Sequence, residues 1–98
     1  VRYSTEGYAK IKVKITDDFE AIFTPCIYKI ENVKVLEGDL ISESVEEIVS
    51  FRGRFCEQAK RGETVIAQGK VERVQSEEGH THLRLLLGNK TSDHMILA

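Results

Sequence analysis

The sequence predicts a mainly β chain, a small antiparallel and strongly bent β-barrel with one short helix. Three observations carry this. YAKIKVKI, Tyr8 to Ile15, alternates apolar and lysine positions without a fault, the period of a strand with one buried and one wet face. CIYKIENVKVLEG, residues 26–38, loses that phase near Glu31 and Asn32, as a β-bulge does when an extra residue resets the inward face. ETVIAQGKVERVQ and HTHLRLLLG alternate on either side of a polar turn at Ser76 to Gly79, the pattern of a long β-hairpin.

In chain order, Tyr8–Ile15 forms the first strand, and its three lysines also suit a sheet edge that must avoid pairing with another chain. Asp17 and Asp18 make a turn, and Ala21, Ile22 and Phe23 offer a short return strand that Pro25 breaks. The bulged strand from Cys26 follows, then a polar loop from Glu37 to Ser44. SVEEIVSF fits either a capped helix, with Ser44 and Glu47 as its capping box, or a strand over Ile48 to Arg52; the branched residues and phenylalanine favour the strand. After Gly53, RFCEQAKRG holds good helix formers, and residues 53–61 read as the short helix, with Phe55 and Ala59 at i,i+4 and Gly62 just past the end. Gly69 permits a sharp bend or close backbone approach within the hairpin. Met95, Ile96 and Leu97 are apolar enough to dock the tail. Closing such a sheet removes its exposed edges, and the oligonucleotide-binding barrel belongs to this architectural group; a flatter sheet backed by helix 53–61 is the rival.

At 98 residues the chain makes a single domain, 1–98, with one core. No run of 18 apolar residues and no signal peptide are present, so no membrane is expected as partner. The first residue is Val1, which suggests a fragment of a longer protein. Cys26 and Cys56 lie thirty apart with no second pair at metal-binding spacing, so reduced thiols and a cytoplasmic location are the expectation. Net charge is −2, but residues 37–51 carry five acids and no base, whereas residues 52–73 carry six bases and three acids. The overall charge lacks the strong positive field of a dedicated nucleic-acid binder, although a local stripe suffices for contact.

No catalytic set emerges. His80, His82 and His94 have no matching Ser or Cys arrangement, and the two closest histidines lack a third metal ligand. The adjacent Asp17 and Asp18 point apart on a strand, which makes a turn the simpler reading than a cation site. Cys56 sits among bases that would lower its pKa, but burial beside Phe55 is the simpler reading, and Cys26 reads as core. The best candidate surface is SFRGRFCEQAKRG, Ser50 to Gly62: Arg52, Arg54, Lys60 and Arg61 would meet phosphates, with Lys70 and Arg73 extending the stripe. The competing reading makes these residues the solvated side of a strand and helix, neutralising the acidic block from Glu37 to Glu47. Phe51 and Phe55, the aromatics available there to stack bases, both fit the core.

EAIFTPCIYKIENVKVLEG, residues 20–38, and EEIVSFRGRFCEQAKRGETVIAQGKVERV, residues 46–74, with LLLG after them, resemble the C-terminal domain of archaeal predicted nucleotidyltransferases, proteins similar to the DNA polymerase beta superfamily in their N-terminal part. The resemblance implies a noncatalytic accessory domain that binds nucleic acid or positions a nucleotide, or else a docking domain with no ligand of its own. It implies an N-terminal nucleotidyltransferase domain of the same protein as partner. It places the paired aspartates and Mg²⁺ ahead of Val1, with no cofactor in this piece.

Overall fold

The structure is a computed structural model describing residues 1–98. Six strands form one sheet: β1 (Arg2–Glu20), β2 (Cys26–Glu37), β3 (Val45–Ser50), β4 (Thr64–Gln75), β5 (Thr81–Leu87) and β6 (His94–Leu97). They lie in the order β1-β2-β3-β5-β4-β6, and β1 pairs with β4 as well as with β2. Lys10 to Lys14 are bonded on both flanks, Ile11 for example lying opposite Val35 of β2 and Ala67 of β4. The sheet thus closes into a ring of five strands, β1-β2-β3-β5-β4 and back to β1. All pairings are antiparallel except β3 with β5, which is parallel. Inside the ring the alternating residues of β1 meet Tyr28, Ile48, Val65, Leu85 and Leu87 in one apolar cluster.

The bends fall where the phase slips. Between Lys12 and Lys14 of β1 the β2 partner changes from Lys34 to Glu31, so β2 carries one extra residue there. Asn32 takes it up at φ 54°, a left-handed conformation that asparagine tolerates. Gly69 permits close approach, since a Cβ there would meet the Leu86 carbonyl oxygen. The tail docks as β6 beside β4, burying Met95.

Several elements differ from expectation. β1 begins at Arg2 and continues to Glu20, with a register shift at Gly7, so residues 21–25 are a loop and no return strand forms at Ala21 to Phe23. β1 is also an interior strand, which removes edge protection as the reason for its lysines. The capping-box alternative at Ser44 gives way to β3, preceded by a single 3-10 turn, Leu40–Ser44.

The helix expected over 53–61 is reduced to one 3-10 turn, Gly53–Phe55. Tertiary partners take the backbone groups that the helix would have used. The Phe55 carbonyl accepts from the Tyr28 hydroxyl at 2.6 Å, and the Glu57 N–H donates to the Ala21 carbonyl at 2.9 Å. The Gln58 N–H donates to the Tyr28 hydroxyl oxygen at 3.1 Å. Glu57 then turns left-handed at φ 60°. Nine residues alone would make a marginal helix, so these external bonds win. Phe55 and Ala59 still enter the core, and the segment plugs one end of the barrel.

A disulfide between Cys26 and Cys56 pins this plug, with Cα atoms 5.5 Å apart, and corrects the expectation of reduced thiols. Distance along the chain hid a pair that the barrel brings together. Neither sulfur is free to act as a nucleophile.

Replacing both cysteines by serine should lower stability by about 3–4 kcal/mol, because the bridge closes a loop of some thirty residues; urea denaturation measures it. Burial pushes the Tyr28 phenol above its ordinary value, against the opposing hydrogen bonds from Gln58 and Ala59. The unfolded chain therefore loses the Tyr28 proton first, and this contribution to stability holds below about pH 10 and is lost as pH rises beyond it. Tyr28→Phe should lack that alkaline limb and cost about 1–3 kcal/mol at neutral pH, since it strands the buried Phe55 carbonyl.

Candidate functional site

The plugged end of the barrel builds a basic cleft from two loops. β3 and β5 run parallel and end side by side, and Ser50 joins them: its hydroxyl donates to the Leu87 carbonyl at 3.0 Å and accepts from the Arg52 N–H at 3.0 Å. Arg52 Nε then reaches the Gly88 carbonyl at 3.3 Å. The Arg54 guanidinium lies 4.6 Å from the Phe55 ring centroid, held by a cation–π contact. Between these arginines and the loop after β5 lies a cleft of about 290 Å³, lined by Arg52, Arg54, Gly88, Asn89, Lys90 and Thr91, with no apolar residue.

Asp93 shapes the second loop. Its Oδ2 accepts from the backbone N–H groups of Gly88, Asn89 and Lys90 at 3.1, 2.9 and 3.1 Å, with the residue only 4 % exposed. Oδ1 is buried without a protein donor. The turn so formed sets Asn89 against the Tyr8 hydroxyl and Lys90 Nζ 3.8 Å from the Tyr8 ring centroid. Arg52, Arg54 and Lys90 are exposed, and none forms an ion pair with a carboxylate. The arrangement places three basic residues without carboxylate partners around one polar cleft, a lining suited to an anion.

The five residues expected to form one stripe do not. Arg52 and Arg54 share the cleft. Lys60 instead lines a different, larger hollow of about 560 Å³ with Asp18, Phe19, Ile22 and Glu57. The N–H of Arg61 donates to Asp18 Oδ2 at 3.3 Å, and Gly62 is tied to Ile15. Arg73 lies near the far end of β4, opposite Ser4, and pairs with Glu6 at 3.1 Å. Lys70 pairs with Glu72 at 3.2 Å. The reason is topological: the segment after β3 crosses the barrel end to reach the start of β4, so neighbours in sequence reach separate clefts.

Sequence reasoning missed Lys90, whose proximity to Arg52 depends on the parallel β3–β5 pairing. Its one local signal was the turn-forming composition of GNKTSD. The acidic block is not neutralised by the arginines after β3: Glu37 pairs with Lys10 at 3.0 Å and Glu47 with Lys29 at 3.1 Å. Phe55 is core as expected, but Phe51 is exposed, and Phe19 and Phe23 at the β1–β2 connection are 82 % and 81 % exposed. His82 faces Glu47 at 3.5 Å, His80 lies 3.9 Å from Glu78, and His94 Nδ1 lies 3.0 Å from the Ser92 carbonyl oxygen. No three potential ligands cluster as a metal site. No helix is long and apolar enough to cross a membrane.

No family model and no solved structure matches the chain. It is similar to an uncharacterized protein of the archaeon Methanocaldococcus jannaschii, 33 % identical over 87 residues, which cover 89 % of this chain and 24 % of that protein. The chain therefore spans about a quarter of its relative's length. This overturns the expected kinship with nucleotidyltransferase C-terminal domains, because the relative carries no such assignment and no family model supports it. The expected nucleotidyltransferase partner and its Mg²⁺ rested on that resemblance alone.

Asp93→Ala should free three amides and loosen the loop that presents Lys90. Hydrogen exchange at Gly88, Asn89 and Lys90 should accelerate at least about tenfold if each loses roughly 1.5 kcal/mol of protection, the lower end of the range for a hydrogen bond to a charged group. Unchanged protection there would show that the loop holds its shape without the carboxylate.

Proposed function

We propose that this chain is a noncatalytic binding domain of a longer protein and that the Arg52–Arg54–Lys90 cleft grips phosphates of a nucleic acid. The cleft carries this reading: three basic residues from two loops line one hollow that has no apolar lining residue, and no carboxylate is paired to them. Guanidinium groups match phosphate oxygens in a fork, and the ammonium adds a mobile point charge. Such contacts position a nucleic acid and carry no base preference by themselves. The far greater length of the similar archaeal protein is consistent with an accessory domain.

A second reading is a docking domain with no ligand of its own, packed against the remainder of a longer parent protein. The exposed Phe19, Ile22 and Phe23 on the β1–β2 connection favour it. The two readings differ in one titration. If the cleft binds nucleic acid, Arg52→Ala, Arg54→Ala and Lys90→Ala together should weaken binding of a labelled oligonucleotide and reduce the slope of log K against log salt by about 2 for a single strand. Fluorescence anisotropy over a salt series gives both quantities. An intact chain that ignores oligonucleotides at low salt would leave the docking reading.

A further inference from the structure

We infer that a second phosphate-contacting surface runs along the outward face of β1, from Tyr8 through Lys10 and Lys12 to Lys14 with Lys34 beside it, and that its ligand is single-stranded nucleic acid leaving the cleft. This rests on the cleft reading above and extends it to a separate wall of the barrel.

The fold makes these lysines hard to explain otherwise. Ala9, Ile11, Val13 and Ile15 point into the core, so Tyr8, Lys10, Lys12 and Lys14 share the outer face. β1 is paired on both sides there, so its lysines guard no free edge. The flanking rows show what mere solvation looks like: Lys10 pairs with Glu37 at 3.0 Å, and Lys14 lies opposite Glu31. The row between them breaks the pattern. Lys12 lies directly opposite Lys34, both are exposed, and neither has a carboxylate within ion-pair distance. Like charges facing one another across strands are destabilising, and a local cost without a compensating partner in the fold marks a site used for something else.

The surface is continuous with the cleft. Lys90 belongs to the cleft lining and lies over the Tyr8 ring, while Tyr8 and Lys10 together line the next hollow along β1. Alternate residues of a strand stand about 6.8 Å apart, close to the spacing of consecutive phosphates in an extended single strand. A duplex is stiff over many turns and would not follow the path from the barrel end onto its wall, whereas a single strand bends freely. Tyr8, with Lys90 on its ring, adds an aromatic group at the junction.

The test compares thymidine oligonucleotides of three and twelve nucleotides with the intact chain, the cleft variant Arg52→Ala/Arg54→Ala/Lys90→Ala, and a wall variant Lys12→Gln/Lys14→Gln/Lys34→Gln. The wall variant should bind the trinucleotide as the unaltered chain does, bind the dodecanucleotide about tenfold more weakly at low salt, and show a salt slope smaller by about 2. Its thermal midpoint should be no lower than that of the unaltered chain, since the Lys12–Lys34 repulsion is gone. Unchanged dodecanucleotide binding by the wall variant would overturn the inference and leave the cleft reading intact. A wall-dependent loss with a cleft variant that binds both oligonucleotides normally would remove the cleft and overturn the inference that the strand runs from it onto β1. Tighter, equally wall-dependent binding of a duplex would overturn the single-strand assignment. Failure of the unaltered chain to bind either oligonucleotide would overturn both.

Discussion

The rest of the structure depends on the hydrogen bonding of β1 along both of its flanks. One long strand serves β2 on one side and β4 on the other, which closes the ring and leaves its alternating aliphatic residues nowhere to go but inward. A strand can do this only if it bends, and the bends are supplied where the side-chain phase breaks, at the residue Asn32 adds to β2 and at the register shift beside Gly7. Closure also decides what the lysines of β1 mean: on an edge they would guard against pairing, but on an interior strand they are a charged wall.

Closure leaves an open end, and the way it is stopped generates the candidate site. The segment after β3 is held by the Cys26–Cys56 bridge, the Tyr28 hydroxyl and the carbonyl of Ala21, not by its own helical bonds. Because the bridge and Tyr28 fix Phe55 and Cys56, the arginines just before them are presented at the rim. The parallel approach of β3 and β5 brings the loop after β5 alongside, and buried Asp93 shapes that loop by gathering three amides. A carboxylate thus helps to build a cationic cleft from beneath, with one oxygen spent on backbone N–H groups.

Charge is partitioned around the barrel despite a net charge near zero. On the outer faces of β2, β3, β4 and β5, cations and carboxylates meet in pairs, Lys29 with Glu47 and Arg84 with Glu72. The acidic loop before β3 and the arginines after it lie at opposite ends of that strand, which keeps the loop's field away from the cleft. Cations without a carboxylate partner include Arg52, Arg54 and Lys90 at the rim and Lys12, Lys14 and Lys34 on the wall of β1 and β2, so a chain with modest overall charge still carries local positive patches.

Periodicity in the sequence determined the strands of the hairpin, the inward face of β1, the bulge near Asn32 and the bent mainly β architecture, because each is a local consequence of side-chain alternation and of residues that tolerate unusual backbone angles. The basic composition of residues 50–62 drew attention to Arg52 and Arg54 but not to where they sit on the barrel. Tertiary structure alone decided that Cys26 meets Cys56, that residues 53–61 give up a helix, that Lys60, Arg61 and Arg73 lie away from Arg52 and Arg54, and that Lys90 lines the cleft with those two. The physical reason is the same in each case: these outcomes depend on groups far apart in the chain that compete for a hydrogen bond, a sulfur or a place at the barrel end, and ring closure alone brings them within reach of one another.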